Sequence, residues 1–162
     1  MSPHGSRATV SSNAGPASRP AASTESIVRV MRGNRSRDTR PELCIRRAVW
    51  SLGLRYRVGA RPVPSLRRTA DLVFTKARVA VFVDGCYWHG CPEHYRPARQ
   101  NEAFWSAKIT GNRLRDDETD TLLRAAGWTV VRIWEHEDAA AGADRVRAAV
   151  VEARTRRRGP SE

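Results

Sequence analysis

Between about residue 25 and residue 154 the apolar positions switch repeatedly from a helical to an extended spacing, while on either side of that stretch large apolar side chains nearly vanish. The segment Thr39-Arg40-Pro41-Glu42 carries Pro near the first helical position and Glu three residues after Thr, which predicts a helix start. That helix should run to about Leu52 and stop at Gly53. Three extended runs follow, at 54–58, 69–74 and 78–83, the last two Val- and Phe-bearing and joined by the turn Thr75-Lys76-Ala77. A polar loop from Asp84 to about Asn101 precedes a long helix over 104–126, closed by Gly127. A β-rich run, Trp128 to Trp134, and an Ala-rich helix over 138–154 complete the order α-β-β-β-α-β-α. Helices alternating with strands in this way place the chain in the α/β class, with helices packed on a mixed sheet.

The flanks differ in kind. Residues 1–24, rich in Ser, Ala, Pro, Gly and Arg, cannot repay ordering entropy and read as a disordered basic tail. Residues 155–162, with Arg156, Arg157 and Arg158 in a row, read as a frayed helix end or a second basic tail. The 162 residues therefore leave room for one domain, over 25–154.

Charge narrows the partner. Lys and Arg total 29 against 17 Asp and Glu, all but Lys76 and Lys108 of the cations being arginine. A net charge of +12 attracts a polyanion, nucleic acid first. The three cysteines, Cys44, Cys86 and Cys91, are an odd number in a chain with no secretory signal, so a reduced intracellular protein is expected rather than a disulfide framework. No apolar run approaches a bilayer span. Cys44, inside the first helix, reads as a core residue, as do Trp50, Trp128 and Trp134.

The candidate chemistry gathers in Val83-Asp84-Gly85-Cys86-Tyr87-Trp88-His89-Gly90-Cys91-Pro92-Glu93-His94, directly after an apolar strand. Cys86, Cys91 and His94 are three donors of the kind zinc takes in tetrahedral sets of four, and His136, after the last strand, can supply the fourth. A closed set of this type is structural; two buried cysteines beside surface histidines is the plainer alternative. Asp71 stands at the head of an apolar strand, where a charge needs exposure, a partner or a metal. Asp84 ends the next strand. Hard oxygen ligands of this sort suit Mg²⁺, although strand-end aspartates also belong to turns, and antiparallel neighbours need not bring the two carboxylates to one end. Glu42 is explained equally by a capping box with Thr39 or by catalysis. His89 is not needed for the zinc set and is free to move protons. Tyr87, Trp88 and Trp105 offer aromatic faces beside a basic surface, suited to stacking on bases or to packing.

Several linked segments resemble one family. Asp38-Thr39-Arg40-Pro41-Glu42-Leu43, Leu54-Arg55-Tyr56-Arg57, Ala70-Asp71-Leu72-Val73-Phe74, Phe82-Val83-Asp84-Gly85-Cys86-Tyr87-Trp88-His89-Gly90-Cys91, Asn101-Glu102-Ala103-Phe104-Trp105, Lys108, Asn112, Arg115-Asp116, Gly127-Trp128-Thr129-Val130-Val131 and Trp134-Glu135-His136 are similar, in order, to the very short patch repair endonucleases. The resemblance spans about Ser26 to Asp138. It implies a restriction-endonuclease-like (PD-(D/E)XK) core, a structural zinc, and Mg²⁺-dependent nicking of duplex DNA 5′ to the thymine of a T:G mismatch left by 5-methylcytosine deamination. It implies Asp71 as metal-binding aspartate, His89 as general base or acid, and Glu42 as the helix glutamate. Tyr87, Trp88 and Trp105 would enter the base stack, with Met31 facing the opposite groove, and Cys86, Cys91, His94 and His136 would ligate zinc. A bacterial, cytoplasmic monomer acting at the nucleoid is implied as well, with mismatch-repair proteins and a cognate cytosine-5 methyltransferase as possible partners. The chain departs from the family pattern in three places: Asp84 stands where some members have His, Ala70 where Pro is common, and His136 where Cys often lies.

The mechanism expected from these residues has Mg²⁺ on Asp71, helped by Asp84 and a main-chain carbonyl near Val83, with His89 acting on the attacking water. Arg32, Arg35, Arg37, Arg40 and the Arg55/Arg57 pair are expected at phosphates. The rival readings are a zinc-stapled DNA-binding module without catalysis and a restriction-type enzyme cutting paired DNA.

Overall fold

The computed structural model describes residues 37–158. Met31, Arg32, Arg35 and the proposed tail over 1–24 lie outside them, as do residues 159–162.

Helix α1 (Arg40–Ser51) starts as its sequence dictates: Thr39 has an extended backbone, its hydroxyl accepts from the Glu42 N–H, and Pro41 sits where a missing N–H costs nothing. It buries Glu42, Ile45, Arg46 and Val49, one helical stripe, so the intervening Cys44 faces out and is exposed rather than in the core. Trp50 is likewise 53 % exposed, with the Arg55 guanidinium 3.7 Å from its ring centre. The first strand, β1 (Arg57–Ala60), begins three residues later than the alternation suggested. The preceding residues are held to α1 instead, by burial of Leu54 and a Tyr56 hydroxyl bond to the Arg46 carbonyl.

Strands β2 (Ala70–Phe74) and β3 (Val79–Asp84) form a hairpin, and β4 (Thr129–Trp134) pairs parallel to β3. The sheet is mixed, in the order β1-β2-β3-β4. Long helix α2 (Glu102–Ala125) lies between β3 and β4 in sequence, and α3 (Ala139–Arg158) closes the chain. The Arg156–Arg158 run, expected as a frayed end or tail, is helical.

Side-chain alternation splits the core in two. Val79, Val81, Val131 and Ile133 pack with Ile45 and Val49 of α1 and Val146 and Val150 of α3. Ala80 and Val73 pack instead with Leu123 of α2 and with Trp128. Gly142 lets α3 approach closely, since a Cβ there would sit 3.0 Å from Ile45 and 3.2 Å from Ile133. The period of two also puts Arg132 and Asp84 on the α2 face. Among the described residues no helix is long and apolar enough to cross a membrane.

Candidate active site and metal centre

The head of β2 and the tail of β3 are the same end of an antiparallel pair, so Asp71 and Asp84 come to one end, close enough for the charge of one to bear on the other. Asp71 Oδ2 accepts from the Val83 N–H at 2.8 Å, and its other oxygen takes no hydrogen bond among the described residues. Burial pushes this carboxyl up to about 6, against the pull of the Val83 bond and with added repulsion from Glu42 and Asp84. Such a group gains from a cation.

Asp84 is buried and handled differently. Both of its oxygens accept from Nη1 of Arg132, at 2.9 and 2.8 Å. Burial raises its pKa, and Arg132 opposes that rise. The same guanidinium donates through Nε to Asp120 at 3.0 Å and through Nη2 to the Asp116 carbonyl at 3.3 Å. Asp116 and Asp120 are one turn apart on α2, which is why a single arginine reaches both.

Asp116 completes a second link: its Oδ2 lies 2.6 Å from His89 Nδ1, and Asp84 Oδ1 lies 3.7 Å from the same nitrogen. Burial alone would lower the His89 pKa, but the Asp116 bond and the Asp84 charge outweigh it, and the pKa is raised. With Nδ1–H given to Asp116, Nε2 is the nitrogen left to accept or donate a proton elsewhere. Neither the link of Asp116 to His89 nor the place of Arg132 follows from the sequence pattern; a cation in an apolar strand is the one local signal for the latter.

Glu42 serves its helix and also neighbours the site. Its carboxylate accepts from the Asp38 N–H, the Thr39 hydroxyl and Arg46, all within 3.1 Å. Arg46 also pairs with Asp38, and its Nε is the one buried polar side-chain atom without a partner among the described residues. The capping function is therefore real, and its charge still bears on Asp71.

The loop after β3 is fixed by its own backbone. His89 N–H donates to the Gly85 carbonyl at 3.1 Å and Cys91 N–H to the Cys86 carbonyl at 2.9 Å, while Glu135 accepts from the Cys86 N–H at 2.6 Å. Gly90 takes φ +63°, a region costly for other residues, and packs against Ile109 and Arg113. Asn112 holds the Trp88 carbonyl at 2.9 Å.

That loop brings Cys86, Cys91 and His94 to His136, which follows β4; their four donor atoms lie within 4.8 Å of one another. Cys86 Sγ is 3.1 Å and Cys91 Sγ 3.7 Å from His136 Nδ1, and Cys91 Sγ is 3.7 Å from His94 Nδ1. Burial first, then Cys91 and Glu135, push the Cys86 thiol up to about 12, a rise that a bound cation reverses. Two thiols and two imidazoles converging in this way can hold a tetrahedral metal ion.

On the same loop Tyr87 and Trp88 meet Trp105 of α2, with ring centres 5.3 to 6.0 Å apart, all three half-buried. The Lys108 ammonium is 5.7 Å from both tryptophan rings. Arg37 lies at this end of the sheet too, its guanidinium against Gly59 of β1. The Arg55/Arg57 pair does not: Arg57 pairs with Val73, near the opposite end of β2 from Asp71.

Comparison with known proteins fits this arrangement. The family profile described as DNA mismatch endonuclease Vsr matches residues 23–94. The type II nicking enzyme V.NaeI of Lentzea aerocolonigenes is 45 % identical over 112 residues, covering 68 % of each chain. V.NmeDIP of Neisseria meningitidis serogroup C, another type II nicking enzyme, is 43 % identical over 66 % of this chain and 72 % of its own. The DNA mismatch endonuclease Vsr of Escherichia coli K12 is 34 % identical over 65 % of this chain and 66 % of its own. With its hairpin aspartate, its histidine–aspartate pair and its Cys/His cluster in place, the chain belongs to the Vsr family of DNA endonucleases.

Proposed function

We propose that the protein nicks one strand of duplex DNA 5′ to the thymine of a T:G mismatch arising from 5-methylcytosine deamination, using Mg²⁺ at the Asp71 end of the sheet, on a restriction-endonuclease-like core. The observation that carries the reading is that Asp84 lies beside both Asp71, whose burial favours a bound cation, and a His89–Asp116 pair, the histidine being on a loop that also carries half-buried aromatic rings.

Asp71 fits an Mg²⁺ ion by its donor chemistry: a hard oxygen, half-buried, with one oxygen free of hydrogen bonds among the described residues. Bound there, Mg²⁺ would polarise the scissile phosphate and acidify a water. Asp84, which sequence reasoning assigned to the same ion, has both oxygens engaged by Arg132; it serves by its charge and by its position beside His89. His89 takes the proton of the attacking water on Nε2 and holds it as an imidazolium stabilised by Asp116 and Asp84. Asp116 fixes the ring's tautomer and direction, as the carboxylate of a hydrolytic triad does. Glu42, locked by its cap, adds negative charge beside Asp71.

The second metal reading is zinc at Cys86, Cys91, His94 and His136. Zn–S near 2.3 Å and Zn–N near 2.05 Å give a tetrahedral S···N edge of about 3.6 Å, within the span of the observed separations. All four corners are protein ligands, so the ion would be structural. Selectivity for the mismatch would come from the cheaper opening of a wobble pair, with Tyr87, Trp88 and Trp105 entering the stack.

The test is strand-resolved cleavage of end-labelled duplexes, one T:G and one fully paired, with Mg²⁺ or EDTA. An Mg²⁺-dependent nick beside the mismatched thymine, lost in Asp71→Ala, is the expected result. Equal cutting of the paired duplex would replace the mismatch reading with a restriction-type one, and binding without cutting would leave only the zinc-stapled module.

A further inference from the structure

A cluster of carboxylates and a cluster of cations lie at opposite ends of the strands. Asp71, Asp84, Asp116 and Glu42 cluster where β2 begins and β3 ends. At the other end, where the Thr75–Arg78 turn, the start of β4 and the last turns of α3 come together, two concave surfaces adjoin. One, of about 440 Å³, is lined by Arg55, Arg57, Lys76 and Arg154 around Tyr56 and Phe74. The other, of about 290 Å³, is lined by Arg124, Arg156 and Arg157 around Trp128 and Thr129. Ala77 lines both, and no carboxylate lines either. Arg78 is exposed beside them, its guanidinium packed at Gly127.

Of the seven lining cations only Arg124 and Arg156 form ion pairs among the described residues, with Asp120 at 2.8 Å and Glu152 at 3.8 Å. Basic residues at the end of α3 complement the helix dipole, which accounts for part of the charge. It does not account for Arg55, Arg57 and Lys76, which come from β1, its approach and a turn. Like charges lining one shared trough repel one another, and a polyanion relieves that repulsion.

We propose that this trough is a second DNA-binding surface, engaging the phosphate backbone of a duplex segment other than the one being nicked. The five rises along β3, at about 3.3 Å each, separate the two ends by roughly 17 Å, so a phosphate held in the trough is not the one held at Asp71. Its guanidiniums match phosphate oxygens as bidentate donors, and nothing in it is arranged to read a base edge, so the contact is sequence-independent. An enzyme searching long DNA for rare sites gains from such a surface by being passed between segments. The inference rests on the chain acting on DNA, not on its choice of the T:G mismatch.

The experiment uses the full chain in EDTA with short, fully paired duplexes, so that neither cleavage nor mismatch preference enters. Binding stoichiometry at low salt and the dependence of affinity on KCl are measured for wild type, for Lys76→Ala alone, and for the triple variant Lys76→Ala/Arg154→Ala/Arg157→Ala. Wild type is expected to take two duplexes per chain and the triple variant one, the weaker event being lost in the triple variant and its salt slope shallower by about 1 in the single variant. Single-turnover nicking of a short duplex should stay within about twofold of wild type, which also reports that the variant is folded. One duplex per wild-type chain, two per triple variant, or a parallel loss of nicking would overturn the proposal. So would an unchanged duplex stoichiometry accompanied by variant-sensitive binding of poly-glutamate, which would assign the trough to an acidic protein.

Discussion

Replacing Asp71 with Asn should make the metal-free protein more stable while abolishing its activity. The carboxyl is displaced from 3.8 to about 6, chiefly by burial, so at pH 7.5 the folded chain holds an ionised group that the unfolded chain solvates better. Taken whole, that displacement is worth about 3 kcal/mol; partial exposure of the side chain reduces it to roughly 1–2 kcal/mol. Asn keeps an oxygen to accept the Val83 N–H, so the variant loses the charge without losing the bond. For a domain of this size the gain should appear as an increase of about 4–8 °C in Tm, measured in EDTA by calorimetry or circular dichroism. The pH dependence gives the sign. Because the folded pKa lies above the unfolded one, folding takes up a proton between about pH 4 and 6, and wild type loses stability as pH rises through that window. The difference between the proteins should therefore be full at pH 7.5 and absent near pH 4. Mg²⁺ should raise the Tm of wild type and leave the variant unmoved. A variant that melts at or below wild type in EDTA at pH 7.5 would refute the idea that Asp71 is an uncompensated charge awaiting a cation.

Four further outcomes follow from the same geometry. Asp116→Asn should lower single-turnover nicking by about 10²-fold or more at saturating DNA, with little change in DNA affinity, because the His89 ring loses the partner that fixes its tautomer. Arg132→Met should destabilise by about 3 kcal/mol in urea denaturation by leaving Asp84 buried without the guanidinium that satisfies both its oxygens, and adding Asp84→Asn should recover most of it; an additive double variant would show that the pair is not coupled. Trp105→Ala should reduce nicking of the T:G duplex by roughly 10- to 100-fold, a loss of one stacking face, with the cleavage assay as readout. Elemental analysis should find one zinc per chain, and Cys91→Ala should lack it and unfold earlier.

What the sequence made legible was whatever local periodicity controls. The order of elements, the helix start at Thr39 and the loop crowded with donors all stand where the pattern put them, because caps, turns and apolar spacing act over a few residues. Errors arose where tertiary partners decide. Trp50 looked like core until β1 proved to start at Arg57, leaving the ring to Arg55 rather than to the sheet. Cys44 was misplaced by one helical position relative to the inward stripe of Glu42, Ile45 and Val49. Arg132 had no local signature of its partners: only the parallel register of β4 against β3 brings Asp84 beside it, and only α2 packing brings Asp116 and Asp120. The engagement of Asp84 by Arg132 was hidden for the same reason.

One loop carries all three of the proposed functions, which makes them interdependent. Cys86 and Cys91 bracket Tyr87, Trp88 and His89, so the ends of the segment that carries these three side chains are the same residues that converge on His136. The loop's internal bonds, Gly85 to His89 and Cys86 to Cys91, fix its curvature, but Trp88 and His89 are anchored outward to α2 through Asn112 and Asp116. A metal at the Cys/His cluster would tie the loop to the end of β4, and the α2 contacts tie it to the other face of the sheet. Held from both sides, His89 is fixed beside Asp84, whose charge also bears on Asp71. This explains how a short, glycine-bearing segment without regular secondary structure can hold the proposed catalytic and base-stacking groups in fixed positions at one end of a four-stranded sheet.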